Sequence, residues 1–273
     1  MIITEVIHWF GDGAHWEGQD GVPTRFAQHL VISGEAMLIA SAIALPVAII
    51  LGHLGRGGFL AVNVSNIGRA VPSFAILVLA AQVPSIGVGD TAAEVALIAL
   101  ALPPIVTNAY VGMTSVDPEV KEAALAMGMS GRQVLRRVEL PLALPLILAG
   151  LRTSAVQVIA TATLAAEVAA GGLGRYIVDG IAESDYAQVW AGALLVGGLA
   201  LAVDGLFAVG QRRAARASGR RPLRPGQVIE EPAELVTEAA GQGTSGAAGQ
   251  GTSGAAGQGT SEAAGHERAE RTG

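Results

Sequence analysis

The sequence has no cysteine, few aromatic residues and few charges. Of its 273 residues, 15% are charged and 4% are aromatic, whereas a soluble domain carries about 25% charged residues. The missing cysteines exclude a disulfide scaffold, a thiolate metal site and a cysteine nucleophile. The shortage of charge argues against a soluble globule, because the chain has too little polar surface to enclose its apolar residues.

Neither sign of charge dominates the body of the chain, although the formal net charge is −6. Residues 1–225 carry 16 acids and 15 bases, and the remainder carries seven acids and two arginines. Because nucleic-acid binding needs a basic patch or a basic excess, we expect no nucleic-acid partner. His53 has no catalytic partner or metal-ligand cluster beside it in the sequence, so we expect neither a catalytic site nor a metal site.

Long apolar runs make up most of the body. Five runs of 22 to 27 residues carry one or two charges each: Leu30–Gly52, Phe59–Val83, Ala92–Met113, Leu142–Val168 and Ala187–Val209. About 20 helical residues cross a hydrocarbon core of about 30 Å. The sequence therefore predicts an all-α, polytopic membrane bundle of about five transmembrane helices.

The basic residues predict the orientation of this bundle. Eleven of them lie in segments on one side of the five predicted spans, and two lie on the other side. Cytoplasmic loops are enriched in Lys and Arg. We therefore expect the C-terminus in the cytoplasm and the N-terminus outside, in the plasma membrane.

Composition divides the chain into four segments. They are an extracellular or interfacial segment at 1–27, the membrane domain at 28–212, a basic juxtamembrane segment at 213–225 and a tail at 226–273. Trp9, Phe10 and Trp16 suit the membrane–water interface. The tail repeats AAGQGTS three times without a large apolar side chain, which predicts disorder.

The first part of the 117–141 segment has the start and stop signals of a short helix. Asp117 is a favourable N-cap, and Pro118 suits the first helical turn. Gly128 can end the helix in a left-handed conformation. Alanines keep the helix thin, so it could enter a groove in another protein. The alternative is an ordinary solvated loop.

A second short helix is predicted immediately afterwards. Ser130 and Gln133 have the spacing of a capping box, and Leu140–Pro141 is expected to end the helix. Two short helices joined at Gly128 would form a compact elbow, the name used below for residues 117–141. The elbow lies on the predicted cytoplasmic side.

Seven residues of the elbow have the spacing of a known motif. They are Glu122, Ala123, Ala124, Gly128, Val138, Leu140 and Pro141. The pattern resembles the EAA loop of permeases, the membrane-spanning subunits of ABC importers, with Val138 in place of the usual isoleucine. In that family the loop docks into a cytoplasmic ATPase dimer and transmits its closure to the spans. The resemblance implies the same role here.

Motifs within the spans and in the outer loop resemble the osmoprotectant subgroup of this family. They are Arg69–Ala75, Leu102–Tyr110, Ala149–Thr153, Ala160–Ala166 and Gly171–Arg175. The resemblance implies uptake of glycine betaine, carnitine or choline, delivered by an extracellular binding protein. It also implies pairing with a second permease subunit, which is either another copy or a paralogue. We expect the outer loop at 171–186 to receive the binding protein.

Several polar and helix-bending residues of these motifs are candidates for the translocation path. They are Arg69, Pro72, Ser73, Asn108, Tyr110, Arg152, Thr161 and Thr163. Charges inside a membrane usually face protein or water. We therefore expect Arg69 or Arg152 to form a buried pair with an acid of the spans, the candidates being Glu35, Glu167 and Asp204.

The chain has no G-x-x-x-x-G-K-[ST] sequence, the loop that cradles ATP phosphates. We expect ATP and Mg²⁺ on a separate ATPase and no cofactor on this chain. One alternative is the same machinery carrying another solute, such as methionine or a phosphonate. Another is a passive channel or membrane scaffold that needs no ATPase.

Overall fold

The structure is a computed structural model that describes residues 2–59, 63, 72–168 and 170–217. In these residues all regular structure is helical. The α-helices are α1 (Ile2–Gly11), α2 (Val22–His53), α3 (Ser73–Ala81), α4 (Asp90–Thr114), α5 (Pro118–Ala126), α6 (Gly131–Val134), α7 (Leu140–Thr161), α8 (Gly174–Glu183) and α9 (Tyr186–Ala217). A π-turn at Leu135–Glu139 joins α6 to α7, and 3₁₀ turns occupy Gly13–Trp16 and Ala162–Val168.

Four helical stretches of the described residues are long and apolar enough to cross a membrane. They are Val22–His53, Asp90–Thr114, Gly131–Val168 and Tyr186–Ala214. These stretches coincide with four of the five predicted runs, which confirms the all-α membrane fold. The other run, Phe59–Val83, lies partly outside the described residues, and α3 is its longest described part. Arg69 and the predicted tail at 226–273 also lie outside them.

Helix α2 begins earlier than its apolar run. It starts at Val22, with Pro23 in its first turn, where the fixed φ of proline favours helix formation. The predicted boundary between an interfacial segment and the membrane domain at residue 27 therefore falls inside a continuous helix. Apolar periodicity marks the part of a helix that faces lipid or core, and the helix continues beyond it.

The core of the bundle is built from small residues on α2, α4 and α7. Alanines 36, 40, 44 and 48 follow one face of α2 and are at most 1% exposed. A Cβ atom added at Gly150 would lie 2.7 Å from the Cβ of Asn108 and 2.9 Å from the Pro104 carbonyl oxygen. Membrane helices associate through such small residues, because these let backbones approach closely.

Helix α1 packs against α9 and forms a second cluster with residues near α8. Trp9 is 5% exposed, stacks on His15 and meets the ring of Tyr176 edge-on at 5.4 Å between centroids. Trp16 is 44% exposed. Of the aromatic residues predicted to lie at the interface, Trp9 is therefore buried in protein, because α1 folds back onto the bundle.

Candidate functional site

The first helix of the elbow begins and ends as its sequence predicts. The Asp117 carboxylate accepts a hydrogen bond of 2.9 Å from the backbone N–H of Glu119, and Pro118 opens α5. Gly128 has φ +85°, the left-handed conformation that favours glycine. The N–H groups of Gly128 and Met129 donate back to carbonyls of α5 at 2.9 and 3.2 Å. This pattern is a Schellman end, which fixes the direction of the chain after α5.

The second helix begins as predicted but does not end at Leu140–Pro141. Ser130 and Gln133 form the capping box, in which the Ser130 N–H donates to Gln133 Oε1 at 2.8 Å. The helix then continues through the π-turn into α7, and the prediction of a stop at Leu140–Pro141 is wrong. Proline lacks an N–H and clashes with the carbonyl four residues earlier. The wider π-turn accommodates Pro141 without a break.

The residues of the motif on α5 face in two directions. Ala124 is 2% exposed and packs against its own chain, while Glu122 and Ala123 are exposed. Large apolar side chains also point outward from the elbow: Val120 is 43%, Leu125 52% and Met127 73% exposed. The outward surface of α5 and the residue after it therefore carries both exposed apolar side chains and two exposed carboxylates, those of Glu119 and Glu122. Large apolar side chains exposed outside the spans are available for contact with another protein.

A buried carboxylate connects the elbow to the bundle. Glu139 is 1% exposed. One of its oxygens lies 3.0 Å from Lys121 Nζ on α5, and the other lies 2.5 Å from His53 Nδ1 at the end of α2. This contact of His53 was not foreseen from the sequence. The sequence contained one indication of this contact, an acid between apolar residues at the entry of a span, but it did not identify the partners.

The structure brings together two of the candidate path residues. Ser73 at the start of α3 and Thr161 at the end of α7 line one cleft, together with α4. Pro72 is the N-cap residue of α3. Thr163 Oγ1 donates within its own turn to Ala160 at 2.8 Å. The Thr163 hydroxyl therefore makes a local hydrogen bond to the backbone of its own turn.

Asn108 and Tyr110 lie on α4, away from this cleft. Asn108 Nδ2 donates to the Pro104 carbonyl at 2.8 Å, so its amide supports the helix where two consecutive prolines remove backbone donors. Tyr110 is half-buried and packs against the apolar core formed by α2, α4 and α7. Of the candidates in the described residues, these two and Arg152 do not share the cleft of Ser73 and Thr161.

Arg152 on α7 pairs with Asp204 on α9. Its Nε and Nη2 atoms donate to the two carboxylate oxygens at 2.6 and 2.7 Å. Gln211 accepts from Arg152 Nη1 at 3.2 Å and donates to the Pro145 carbonyl at 3.3 Å. Of the two arginines expected to form a buried pair with an acid of the spans, Arg69 lies outside the described residues, and Arg152 pairs with Asp204 in a partly exposed position. Both side chains are 36% exposed in the single chain, so the pair is half-buried.

The loop at the opposite end of the bundle from the elbow, together with α8, is hydrogen-bonded to α2 and to the residues just before it. Gln28 Oε1 accepts from the Gly172 N–H at 3.0 Å, and the Tyr176 hydroxyl donates to the Asp20 carbonyl at 2.6 Å. Burial raises the pKa of the Tyr176 hydroxyl, which keeps it a donor. Glu183 and Asp185 are exposed at the turn between α8 and α9, so this turn presents negative charge.

No group of three or more His, Cys, Asp or Glu side chains in the described ranges could hold a metal ion. The elbow carries exposed apolar side chains and the ion pair of Lys121 with Glu139. Its outward apolar surface can bind another protein, and the Glu139 ion pair can hold α5 in a fixed position relative to the spans.

Residues 44–216 match the family described as the inner membrane component of binding-protein-dependent transport systems. Among similar proteins, the glycine betaine/carnitine/choline transport system permease protein OpuCB of Bacillus subtilis is 37% identical over 69% of this chain and 86% of its own length. The carnitine transport permease protein OpuCB of Listeria monocytogenes is 40% identical over 67% and 83%. The osmoprotectant import permease protein OsmY of Salmonella typhimurium is 37% identical over 68% and 79%.

The fold is similar to that of solved transporter structures. A chain of the inward-facing MetNI methionine ABC transporter superposes with a TM-score of 0.56 at 22% identity, covering 70% of this chain and 93% of that chain. A chain of an amino acid ABC transporter crystallised with histidines gives a TM-score of 0.56 at 18% identity, covering 70% and 92%. At these identities the likeness concerns the fold.

Proposed function

Since this chain belongs to the family of inner membrane components of binding-protein-dependent transport systems, we propose that it imports a quaternary ammonium osmoprotectant. The resemblance to ABC importer permeases, inferred from the elbow and the span motifs, is confirmed at the level of the family. The chain is an integral membrane permease subunit. Solute identity, energy source and partners are the subject of the proposal.

The solute class rests on the names of the relatives. The similar proteins of Bacillus subtilis and Listeria monocytogenes are named for glycine betaine, carnitine and choline, which share a trimethylammonium group. Such cations are usually caged by aromatic faces, and aromatic residues make up only 4% of this chain. We propose that selective binding occurs on an extracellular binding protein and that this chain passes the solute on.

The proposal of an ATP-driven partner rests on the exposed surface of the elbow. Its outward surface exposes Glu122, Ala123 and three large apolar side chains at the end of the bundle. We propose that a cytoplasmic ATPase dimer, holding ATP and Mg²⁺, binds this surface. A partner that contacts α5 differently in its open and closed states shifts the spans between outward and inward openings, because only differential contact can move the equilibrium.

The remaining partners follow from the same proposal. A second permease subunit, either another copy or a paralogue, completes the path, and the candidates at Ser73, Thr161 and Arg152 lie on this chain's contribution to it. The binding protein meets the loop that carries Glu183 and Asp185. The basic segments, including the elbow, lie in the cytoplasm of a cell with this protein in its plasma membrane.

Reconstitution tests this function directly. The permease, its ATPase and its binding protein are placed in proteoliposomes, and uptake of labelled glycine betaine is measured with and without ATP inside. We expect ATP-dependent uptake that excess choline or carnitine reduces and that excess methionine leaves unchanged. Uptake that needs no ATP would favour a passive channel, and competition by methionine or a phosphonate alone would favour another solute.

A further inference from the structure

Glu139 is an ionisable residue that the motif does not use. It is the last residue of the π-turn at Leu135–Glu139, immediately before α7, and it is 1% exposed. Removing a carboxylate from water is costly, and a buried ion pair is often no more stabilising than apolar side chains of the same volume. Its role is therefore sought in the arrangement of the helices that it contacts. A buried charge pair does, however, specify one relative arrangement of the elements that carry it.

The two oxygens of Glu139 have separate partners on separate helices. Lys121 reaches one oxygen from α5 at 3.0 Å, and His53 reaches the other from the end of α2 at 2.5 Å. The same carboxylate thus joins α5, α2 and the entry of α7. The side chains of Lys121 and His53 are 23% and 29% exposed. The Glu139 carboxylate is therefore shielded from solvent, whereas its two partners are partly exposed.

Helix α5 has few other attachments to its own chain. Of its nine residues only Ala124 is buried, and a single alanine contact does not fix rotation about the helix axis. The Lys121–Glu139 contact supplies a second, directional attachment. The π-turn is needed for this geometry, since one residue more or less in a helix rotates the side chains that follow by about 100°.

We propose that Glu139 is a positioning residue through which α5 moves together with α2 and α7. This inference rests on the proposed function, in which α5 receives the motion of an ATPase. On the α2 side the motion reaches a rigid contact, because Gly52, next to His53, packs so closely that a Cβ there would lie 2.5 Å from Met113 Cβ on α4. The carboxylate therefore connects the partner-facing helix to the tightly packed centre of the bundle.

The first test measures ATP hydrolysis and solute uptake in the same assembled transporter in proteoliposomes. Glu139→Gln keeps the size of the side chain and removes its charge, and Lys121→Gln removes the partner charge. Each single variant is expected to raise the ATP hydrolysed per solute imported about fivefold or more, the lower end of coupling effects between sites. The double variant should be no worse than either single one, because both lose the same contact.

Controls separate this inference from folding and from the proposed function. Glu17→Gln removes an exposed carboxylate at the far end of the chain and should leave the ratio unchanged. The amount of assembled complex shows whether a variant folds. If the unchanged protein shows no ATP-dependent uptake, the proposed function fails. If it does and Glu139→Gln retains the same ratio, this inference alone is overturned.

A second measurement needs no ATPase. Because the chain has no cysteine, Met127→Cys offers a single attachment point for a nitroxide label at the end of α5, at a side chain that is 73% exposed. In the full-length permease in lipid nanodiscs, Glu139→Gln should increase the mobility of this label. An unchanged spectrum would show that Glu139 does not position α5, even if transport were impaired for another reason.

Discussion

At the scale of single residues, Arg152 on α7 is held by the opposite charge of Asp204 on α9. Arg152 and Asp204 meet through two hydrogen bonds, and Gln211 binds the remaining guanidinium edge and the backbone of α7. An ionised side chain in a membrane needs such partners or water. The pair therefore joins α7 to α9 at one defined register.

Exchanging these two charges should distinguish the electrostatic attraction of the pair from the packing of its side chains. Arg152→Asp alone places two acids together, and Asp204→Arg alone places two arginines together, so each should lower the yield of folded protein in the membrane severalfold. The double exchange restores opposite charges and should recover most of that yield. The measurement is the amount of monodisperse protein after detergent extraction. A double variant as poor as the singles would show that the pair does not hold α7 to α9.

The residues that the sequence located best are those whose role is local. Asp117 and Gly128 act on backbone groups within a few positions, so their effect can be deduced from spacing alone. Arg152 was expected to pair, but the sequence left open which acid it would meet. Glu139 and His53 are 86 positions apart, and their contact depends on how α2 and α7 pack. A contact between residues so far apart in the sequence cannot be predicted from a local sequence pattern.

At the scale of elements, α5 depends on the backbone conformation that follows it. Gly128 at φ +85° has open space around it, so backbone strain alone opposes a side chain there. A β-branched residue in this conformation costs about 1–3 kcal/mol. That strain would be relieved by changing the direction of the chain between α5 and α6.

Gly128→Val should therefore abolish uptake while the protein still inserts in the membrane. Glu122→Lys, which reverses the exposed motif charge without altering the backbone, should have the same effect. Gly18→Val is a matched control, because Gly18 has φ +79° and open space but lies near the N-terminus. Uptake is measured in proteoliposomes at equal protein amounts. Normal uptake by both elbow variants would remove the elbow from the transport mechanism.

The elements also show where proline gives a wrong helix end. The run at 142–168 was placed correctly, yet the structure joins it to the second elbow helix without a break. Leu140–Pro141 was predicted to end the helix because proline usually interrupts one. In the structure a π-turn of five residues precedes Pro141, and the helix continues. Val134 just before the turn and Glu139 at its end are both buried. The sequence therefore predicted the span but not its continuity with the elbow.

At the scale of the whole molecule, the described bundle combines surfaces of different chemistry. Large apolar side chains such as Leu38, Leu201 and Leu206 are more than 70% exposed along the spans, which suits hydrocarbon. The elbow presents apolar side chains and Glu122 at one end, and the turn between α8 and α9 presents acids. Under the proposed function, these three regions face lipid, the ATPase and the binding protein.

The central claim is that the surface around α5 is where a separate ATPase drives this chain. Site-specific photo-cross-linking from position 127 in the assembled transporter tests it most directly, with position 183 as the control at the other end of the bundle. We expect the group at 127 to cross-link to the ATPase and the group at 183 not to do so. A cross-link from 127 to the binding protein, or none to the ATPase, would contradict the central claim.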